Sequence, residues 1–321
     1  MIDTTKNNSN RDEFIHRCCP ICRSNELEKS IIKTPVEGNS LSFDSLISHW
    51  NGFFKQKIIF SYARCNGCGL LYCPTFFNGD QLEKLYGQMP PNMDEVPYAA
   101  LKNTQYGYFS YLKQNSPLKG GFIEIGPDIG LFTENCVREG AFDEYWLFEP
   151  NRVVKPVLEA VVHGHKSHII HEMTDFSAVP NETVTAVVII HVMDHLLDPV
   201  STLTQLRSKL TRDARLMIVT HDESSLLRRI FGWRWPAFCL QHPQIYNQET
   251  TRALLEASGY HVLEQHKTVN HFKISFLIKH CLWAMGLKVK SVPSFGDITV
   301  GLKLGNILTI AEPKQGIDCG K

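Results

Sequence analysis

The residues best suited to chemistry begin with a glycine-marked turn that follows an apolar run, within residues 122–130. Gly126 allows a tight turn, and Gly130 lets the backbone approach a ligand before the next helix opens. The free amides of a helix start favour an anionic or polar ligand. A second strand-like run, residues 144–148, ends in Glu149, whose carboxylate can accept hydrogen bonds from both hydroxyls of a ribose. This order of features predicts a mononucleotide-binding half of an α/β sheet.

Two interpretations of the glycine turn stay open. Gly-x-x-x-Gly turns also join strands to helices that bind no ligand. A dinucleotide-dependent dehydrogenase would show a fuller Gly-x-Gly-x-x-Gly pattern, and Asp128 stands where its middle glycine would be. The pattern therefore favours another ligand that carries a ribose.

A second polar group follows the fourth predicted strand, residues 184–190, which is apolar throughout as in a strand buried on both faces. His191, Asp194 and His195 come directly after it, where residues of an open α/β sheet face the ligand crevice. His195 is a candidate general base, because the neighbouring Asp194 favours the charged imidazole. His191 is a candidate for the same chemistry and for a cofactor contact, with a structural cap as the alternative.

Two C-x-x-C pairs, Cys19 with Cys22 and Cys65 with Cys68, form a third candidate site. That spacing lets two thiolates from one tight turn hold a tetrahedral zinc ion. Four cysteine ligands leave no position for water, so we expect this zinc to stabilise the fold and to take no part in catalysis. Unliganded thiols are the alternative.

Alternating strands and helices after residue 120 must position the first two sites. The predicted strands are residues 122–125, 145–148, 168–171, 184–190, 215–220 and 261–264, and a final run, 301–310, is expected to pair as an edge strand. Such alternation predicts an α/β fold with a Rossmann-like, doubly wound sheet.

The chain is expected to divide into three segments. Residues 1–78 form a zinc-ribbon-like module, residues 79–118 a helical connector, and residues 119–321 the main domain. The main domain carries two predicted lid insertions, at about 221–247 and 269–299. The first of them is rich in arginine and tryptophan, and an ordinary surface with buried aromatic residues is the alternative to a lid.

Composition limits the classes of partner. Lysine plus arginine equal aspartate plus glutamate, at 33 each among 321 residues, so no net charge attracts nucleic acid or an anionic membrane. The longest apolar stretch near the C-terminus, residues 274–287, is too short to cross a bilayer. Ten cysteines without a signal-peptide pattern indicate reduced thiols or metal ligands. We therefore expect a cytoplasmic protein with no transmembrane segment and no nucleic-acid partner.

In motif order, the chain resembles a class I S-adenosylmethionine-dependent methyltransferase over about residues 120–312. Residues 124–130 resemble the first motif of that family, and residues 191–199 its motif after the fourth strand. The resemblance implies a seven-stranded sheet whose last strand is antiparallel. It also implies S-adenosylmethionine as the cofactor, bound by Glu124, Gly126, Asp128, Gly130, the ribose-binding Glu149, the adenine-flanking Asp175 and Phe176, and His191.

The zinc-type module is similar to a branch of these enzymes that acts in sugar, surface-polysaccharide and natural-product pathways. Its deoxysugar C-methyltransferases resemble this chain in the paired C-x-x-C motifs and in an acid–histidine pair that matches Asp194 and His195. Val192 stands where their active-site tyrosine is expected. The resemblance therefore implies methylation of oxygen in preference to carbon.

The chemistry implied by the resemblance is an in-line displacement, in which an acceptor oxygen attacks the sulfonium methyl group. We expect His195 to remove the proton, with Asp194 orienting it, and the acceptor to be a small molecule or glycan such as a sugar or nucleotide-sugar. A sugar C-methyltransferase, a zinc-dependent RNA methyltransferase and a non-catalytic binding module are the alternatives. Balanced charge counts against the RNA enzyme.

Overall fold

The computed structural model describes residues 13–28, 31–50, 57–87, 97–293 and 298–314. The first 12 residues of the predicted zinc module and its residues 29–30 and 51–56 lie outside the described residues. So do residues 88–96 of the predicted connector, residues 294–297 of the second predicted lid insertion, and residues 315–321.

The N-terminal part contains short elements around the two cysteine pairs. In chain order they are β1 (Ile15–His16), α1 (Phe43–Trp50), β2 (Ala63–Arg64), β3 (Leu71–Tyr72) and β4 (Thr75–Phe76). Two helices follow, α2 (Gly79–Gly87) and α3 (Tyr98–Asn115). Strand β1 pairs with β4, and β2 pairs with β3, both antiparallel.

The remaining elements alternate between strand and helix. They are β5 (Gly121–Ile125), α4 (Leu131–Glu139), β6 (Glu144–Phe148), α5 (Lys155–Val161), β7 (Lys166–Ile170), β8 (Val184–Ile190), α6 (Pro199–Arg207), β9 (Leu210–His221), α7 (Leu226–Phe231), β10 (Gln244–Ile245), α8 (Gln248–Ala257), β11 (Tyr260–Lys267), β12 (Asn270–Lys273), α9 (Ile274–Ala284), β13 (Thr299–Leu302) and β14 (Asn306–Pro313).

Seven of these strands form one sheet in the order β11-β14-β9-β8-β5-β6-β7. The neighbours from β9 to β7 pair in parallel, whereas β14 runs antiparallel to both β9 and β11. The predicted α/β, Rossmann-like sheet with an antiparallel last strand is therefore confirmed.

The final strand corrects one expectation. Strand β14 lies between β9 and β11 and is not an edge strand. It also begins only at Asn306, because residues 301–302 of the predicted run belong to β13, which pairs with β12 in a separate hairpin. The physical reason is that pairing with both β9 and β11 satisfies the backbone hydrogen-bonding groups that an edge strand leaves open on one side.

Both faces of the sheet are covered by helices, as the apolar run of β8 predicted. Every residue of β8 is buried. On one face the sheet packs against α3, α4 and α5, with Phe122 stacked on Phe132 and Phe142. On the other face it packs against α6 and α8. Helix α3 is thus a layer of the sheet domain, so the predicted connector is partly a core element.

Much of the first predicted lid insertion packs against the N-terminal module. Strand β10 pairs antiparallel with β3 of the N-terminal module. Trp235 and Phe238 are buried in the aromatic core of that module, together with Phe60 and Phe77. Burying large aromatic side chains stabilises this arrangement. Within the insertion, α7 and the 3-10 turn after it, Gly232–Arg234, contain no buried residues.

No helix of the described residues is long and apolar enough to cross a membrane.

Candidate functional site

The glycine turn after β5 adopts a conformation that only glycine accepts without strain. Gly126 has φ +72°, and a Cβ atom there would lie 2.4 Å from Cγ2 of Val192. Gly130 has φ +75°, and its Cβ atom would lie 2.9 Å from Cδ2 of Leu158. Both positions therefore combine a left-handed backbone with a close contact, which explains why glycine stands at each.

The carboxylate of Glu149 is fixed at the end of β6 by backbone amides. Its Oε2 accepts a hydrogen bond from the backbone N–H of Asp128 at 2.9 Å, and its Oε1 accepts one from Asn151 at 2.9 Å. Asp128 has φ +51°, a left-handed conformation that explains the commoner glycine at this place. The acid predicted to bind ribose is thus oriented by the glycine turn itself.

Two buried acids share this region. Glu124 is 3% exposed and accepts a hydrogen bond from the hydroxyl of Thr133, and Glu149 is 7% exposed. Burial disfavours their charged forms and raises the pKa of each to about 7. A pair of carboxyl groups with raised pKa values in one cleft is a mark of a functional site.

A pocket opens at the carboxyl ends of β5, β6 and β8. Five of the residues predicted to contact the cofactor line it, namely Glu124, Gly126, Asp128, Glu149 and His191. Tyr86, Gln105 and His195 line it as well. The Oε1 atom of Gln105 is buried and has no hydrogen-bond partner among the described residues. That orphaned acceptor in the pocket wall indicates a polar ligand.

Three predicted cofactor residues do not line the pocket among the described residues. Gly130 lies behind it, against Leu158 of α5. Asp175 is exposed, and its Oδ1 accepts a hydrogen bond from the backbone N–H of Ser177. Phe176 is buried against Phe148, with ring centroids 4.9 Å apart. The residue of this loop that does line the pocket is Met173.

His195 contacts a residue from the N-terminal half of the chain. Its Nδ1 lies 2.8 Å from the hydroxyl of Tyr86, which belongs to α2. Burial lowers the pKa of His195 well below its usual value, so the imidazole is neutral near pH 7. Burial also raises the pKa of Tyr86, which keeps the phenol protonated. No sequence pattern indicates Tyr86, because 109 residues separate it from His195.

The predicted pairing of Asp194 with His195 is not present. Oδ2 of Asp194 lies 2.8 Å from Nδ1 of His221, and it also accepts the backbone N–H of His221 at 3.2 Å. Burial opposes the charge, but this contact lowers the pKa of Asp194 below its ordinary value. The reason is geometric: Asp194 and His195 are consecutive in a short 3-10 turn and point to different neighbours.

His221 ends β9, the strand next to β8, and belongs to a histidine cluster that the sequence interpretation missed. Its ring centroid lies 4.7 Å from that of His191 and 4.9 Å from that of His242. His242 in turn lies 4.6 Å from His195. The available signal was position, since His221 occupies the carboxyl end of a predicted strand.

The four cysteines of the two C-x-x-C pairs come together. Their sulfur atoms all lie within 4.8 Å of one another, with 3.4 Å between Cys19 and Cys68 and between Cys22 and Cys65. Zinc bonds of about 2.3 Å place tetrahedral sulfur ligands about 3.8 Å apart. Gly67 fits closely under this group, since a Cβ atom there would lie 3.1 Å from Sγ of Cys22.

The N-terminal module that carries the four cysteines, called the cysteine module below, is joined to the turn after β8 by hydrogen bonds. Gln244 of β10, which pairs with β3, donates from Nε2 to the carbonyl oxygens of Met193 at 3.0 Å and Leu196 at 2.6 Å. Arg17 donates to the carbonyl oxygen of Leu197 at 2.8 Å and to Oε1 of Gln244 at 3.0 Å. The module therefore supports the turn that carries Asp194 and His195.

Comparison with known proteins identifies the architecture. Residues 100–265 match a family model described as a methyltransferase domain, which is more than half of the chain. A chain from the complex between the Haloferax volcanii Trm112 methyltransferase activator and a methyltransferase is 11% identical, with a TM-score of 0.50. That match covers 68% of this chain and 93% of the other.

A second solved structure covers more of the chain. A Leishmania major S-adenosylmethionine-dependent methyltransferase is 11% identical with a TM-score of 0.50, over 90% of this chain and 99% of the other. At this identity the two structures show a shared fold. No curated protein gave a significant match.

Proposed function

Since this chain belongs to the methyltransferase domain family and is an S-adenosylmethionine-dependent methyltransferase, we propose that it methylates a hydroxyl oxygen of a sugar, nucleotide-sugar or related polyhydroxylated molecule. One observation carries the proposal. The same pocket is lined by the ribose-type acid Glu149 and by the hydrogen-bonded pair Tyr86 and His195. Cofactor and acceptor can therefore meet in it.

The residues of the pocket fit S-adenosylmethionine. Gly126 lines the pocket with backbone atoms alone, and Gln105 presents a buried acceptor without a partner among the described residues. Glu149 has a spare lone pair on each carboxylate oxygen for the two ribose hydroxyls. When bound, the cofactor supplies an electrophilic methyl group on a sulfonium sulfur, which keeps the electron pair of the broken C–S bond.

The proton of the acceptor hydroxyl goes to His195 in this proposal. The proposal requires the tautomer of His195 in which Nδ1 donates its hydrogen to the hydroxyl oxygen of Tyr86, 2.8 Å away, because Nε2 then keeps the lone pair that accepts the proton. As the acceptor oxygen forms its bond to carbon, its O–H bond breaks and the imidazole becomes cationic. Tyr86 is a positioning residue, because it acts by fixing the ring and tautomer of His195.

The chemical character of the pocket supports a hydroxylated and locally uncharged acceptor. No described residue that lines the pocket is a lysine or an arginine. Near its inner end, Nδ2 of Asn306 lies 3.3 Å from Nε2 of His191. Imidazole and amide groups both donate and accept hydrogen bonds, as recognition of several hydroxyls requires.

We also propose that the four clustered cysteines bind one structural zinc ion. The sulfur separations suit tetrahedral coordination after small adjustments, and four thiolates leave no open position for a substrate. The ion would fix the module that contains Arg17 and that pairs with the strand of Gln244, and both of these residues hold the turn with His195. Its contribution to methyl transfer is therefore structural.

The experiment that tests the proposed function uses cofactor with a ¹³C-labelled methyl group and a panel of sugars and nucleotide-sugars. Nuclear magnetic resonance of the product distinguishes a methyl ether from a methyl group on carbon or nitrogen. We expect a methyl ether, lost in His195→Ala. A product methylated on carbon or nitrogen would contradict the proposal.

A further inference from the structure

A second group of metal-ligand residues lies beside the pocket, separate from the cysteines. His191 follows β8, Asp194 lies in the next turn, and His221 ends the neighbouring strand β9. One ligand atom from each residue, two nitrogens and a carboxylate oxygen, lies within 4.8 Å of the other two. The group thus sits where parallel strands end, the place at which open α/β sheets bind ligands.

The hydrogen bonding of this group is incomplete. Asp194 is 0% exposed, and while its Oδ2 contacts His221, its Oδ1 has no hydrogen-bond partner among the described residues. Nδ1 of His191 likewise lacks a partner in the described part of the chain. A buried carboxylate oxygen without a partner is costly, because the charge has lost its hydration without compensation.

The backbone of His191 is also strained. Its φ is +53°, in the left-handed region that few residues other than glycine adopt, although histidine is enriched there together with asparagine and aspartate. Such strain persists where the surrounding structure over-determines a side-chain position, and it concentrates at functional sites. Here it turns the ring of His191 toward His221, with ring centroids 4.7 Å apart.

We propose that His191, Asp194 and His221 bind a divalent first-row transition-metal ion. Two imidazoles and one carboxylate are an established ligand set for such ions, and three protein ligands leave coordination positions open. Bonds of about 2.0–2.2 Å hold tetrahedral ligand atoms about 3.4 Å apart. Closing the group from its limit of 4.8 Å therefore takes a contraction of at most about 1.4 Å.

A metal-free pair of Asp194 and His221 is the competing explanation. That pair uses one carboxylate oxygen, and it leaves Oδ1 of Asp194 and Nδ1 of His191 without partners. A bound ion accounts for all three residues together. The side chain of His221 is 24% exposed, so an ion and an acceptor oxygen can reach the site from solvent.

The role of the ion rests on the proposed function, although its binding does not. An open coordination position of the ion would hold an acceptor hydroxyl near the pocket and would lower its pKa. Its proton would still pass to His195, and its oxygen would still form the new bond to carbon as the C–S bond breaks. The ion would thus orient and acidify the acceptor without changing the balance of the reaction.

Cobalt(II) titration of the metal-free protein tests the inference, because cobalt reports its ligands. Thiolate ligands give intense charge-transfer absorption, whereas nitrogen and oxygen ligands give weak ligand-field bands. We expect two equivalents, one with thiolate bands and one without. Asp194→Asn and His221→Ala should keep the first and weaken the second by at least about tenfold. His261→Ala, an exposed histidine on β11, is the matched control and should keep both.

Two results would overturn the inference. One is uptake of the thiolate-bound equivalent alone by the unaltered protein when cobalt, zinc or manganese is added. The other is binding of the second equivalent by Asp194→Asn and His221→Ala within twofold of the unaltered protein. Retained thiolate bands show that a variant is folded. If Asp194→Asn or His221→Ala does not fold, His221→Gln takes its place in the titration. S-adenosylhomocysteine binding, measured on the same samples, tests the proposed function separately.

Discussion

The hydroxyl of Tyr86 lies 2.8 Å from Nδ1 of His195. This contact joins a helix next to the cysteine module to the turn that follows the central strand of the sheet. Both residues line the pocket, so the two parts of the chain meet at its wall. A change in either part is therefore expected to reach the imidazole of His195.

Removal of the imidazole should affect catalysis more than cofactor binding. We expect His195→Ala to lower kcat by about 10²–10⁴-fold, the usual contribution of a general base. Tyr86→Phe keeps the ring but loses one hydrogen bond of about 1 kcal/mol, so kcat should fall about fivefold. Steady-state kinetics and the affinity for S-adenosylhomocysteine separate the two effects.

Tyr106→Phe is the matched control for this pair, since Tyr106 is 57% exposed on α3, and it should leave kcat unchanged. Full turnover in His195→Ala with normal cofactor affinity would show that another group accepts the proton.

The glycine turn gives a steric prediction. Gly126→Ala introduces a Cβ atom 2.4 Å from Val192 in a left-handed conformation, and it should reduce the free energy of unfolding by about 2–5 kcal/mol and weaken cofactor binding. Gly164 also has a positive φ, +81°, but the Cβ atom added by Gly164→Ala would have nothing within 4 Å. It should cost only about 1–2 kcal/mol. Denaturant unfolding measures both.

A second substitution separates the clash from the backbone strain. Val192→Ala removes the clashing atom, so it should restore part of the stability lost in Gly126→Ala, as a double-mutant cycle would reveal. Strict additivity of the two changes would mean that the contact with Val192 is not the cause.

The two buried acids predict opposite pH dependences for stability and binding. The pKa of Glu124 and of Glu149 rises from 4.5 to about 7 on folding. The stabilisation from each is therefore present below pH 4.5 and is lost as the pH rises through 7, by up to about 3 kcal/mol per group. Cofactor affinity should rise over the same range, because ribose hydroxyls donate to an ionised carboxylate.

Glu149→Gln should flatten much of the pH dependence of unfolding in the ligand-free protein and abolish tight cofactor binding. Glu159→Gln, an exposed change on α5, should alter neither. Unfolding free energies and calorimetric affinities between pH 5 and 8.5 provide the check, and an affinity that stays constant through pH 7 would refute the role given to Glu149.

Loss of the thiolate-bound ion should disable the enzyme from a distance. We expect Cys65→Ser to lose one equivalent of zinc, to unfold the aromatic core shared by the module and residues 235–245, and to lose methyl transfer. Cys18→Ser, next to the tetrad but outside it, should keep the zinc and the activity. Metal analysis and thermal unfolding followed by tryptophan fluorescence are the measurements.

The link between module and turn can be tested without touching the cysteines. Gln244→Ala leaves the buried carbonyl oxygen of Leu196 without its Nε2 donor and leaves that of Met193 with only the longer contact from the hydroxyl of Tyr246, 3.4 Å away, at a cost of about 1–3 kcal/mol. We expect kcat to fall as the turn loosens while zinc content stays the same. Gln205→Ala, which removes an exposed contact on α6, is the control. Unchanged kcat in a Gln244→Ala protein that is destabilised would separate the module from catalysis.

The sequence predicted what local patterns encode. The apolar run of β8, the glycine turn before α4 and the C-x-x-C pairs each have a short-range physical cause, and each lies where the pattern indicated. The antiparallel direction of β14 came from resemblance, whereas its place between β9 and β11 depends on which strands leave a gap. No periodicity encodes that choice.

The histidine site shows the same division. The sequence predicts a pair of Asp194 and His195 because the two residues are neighbours in the chain. In the structure, Asp194 instead contacts His221, 27 positions away. That contact depends on the register between β8 and β9, which places their carboxyl ends side by side. The contact of Tyr86 with His195 could not be predicted for a similar reason, since only the packing of α2 brings the two residues together. Contacts across elements set the chemistry here.

The central claim is that the pocket binds S-adenosylmethionine through Glu149 and the glycine turn. Calorimetric titration of the metal-loaded protein with S-adenosylhomocysteine tests it most directly, because no acceptor is needed. We expect S-adenosylhomocysteine to bind at one site with micromolar affinity, and we expect Glu149→Gln to weaken this affinity at least about tenfold, or about 1.4 kcal/mol. Absence of binding by a folded protein with its metal in place, or equal binding by Glu149→Gln, would contradict it.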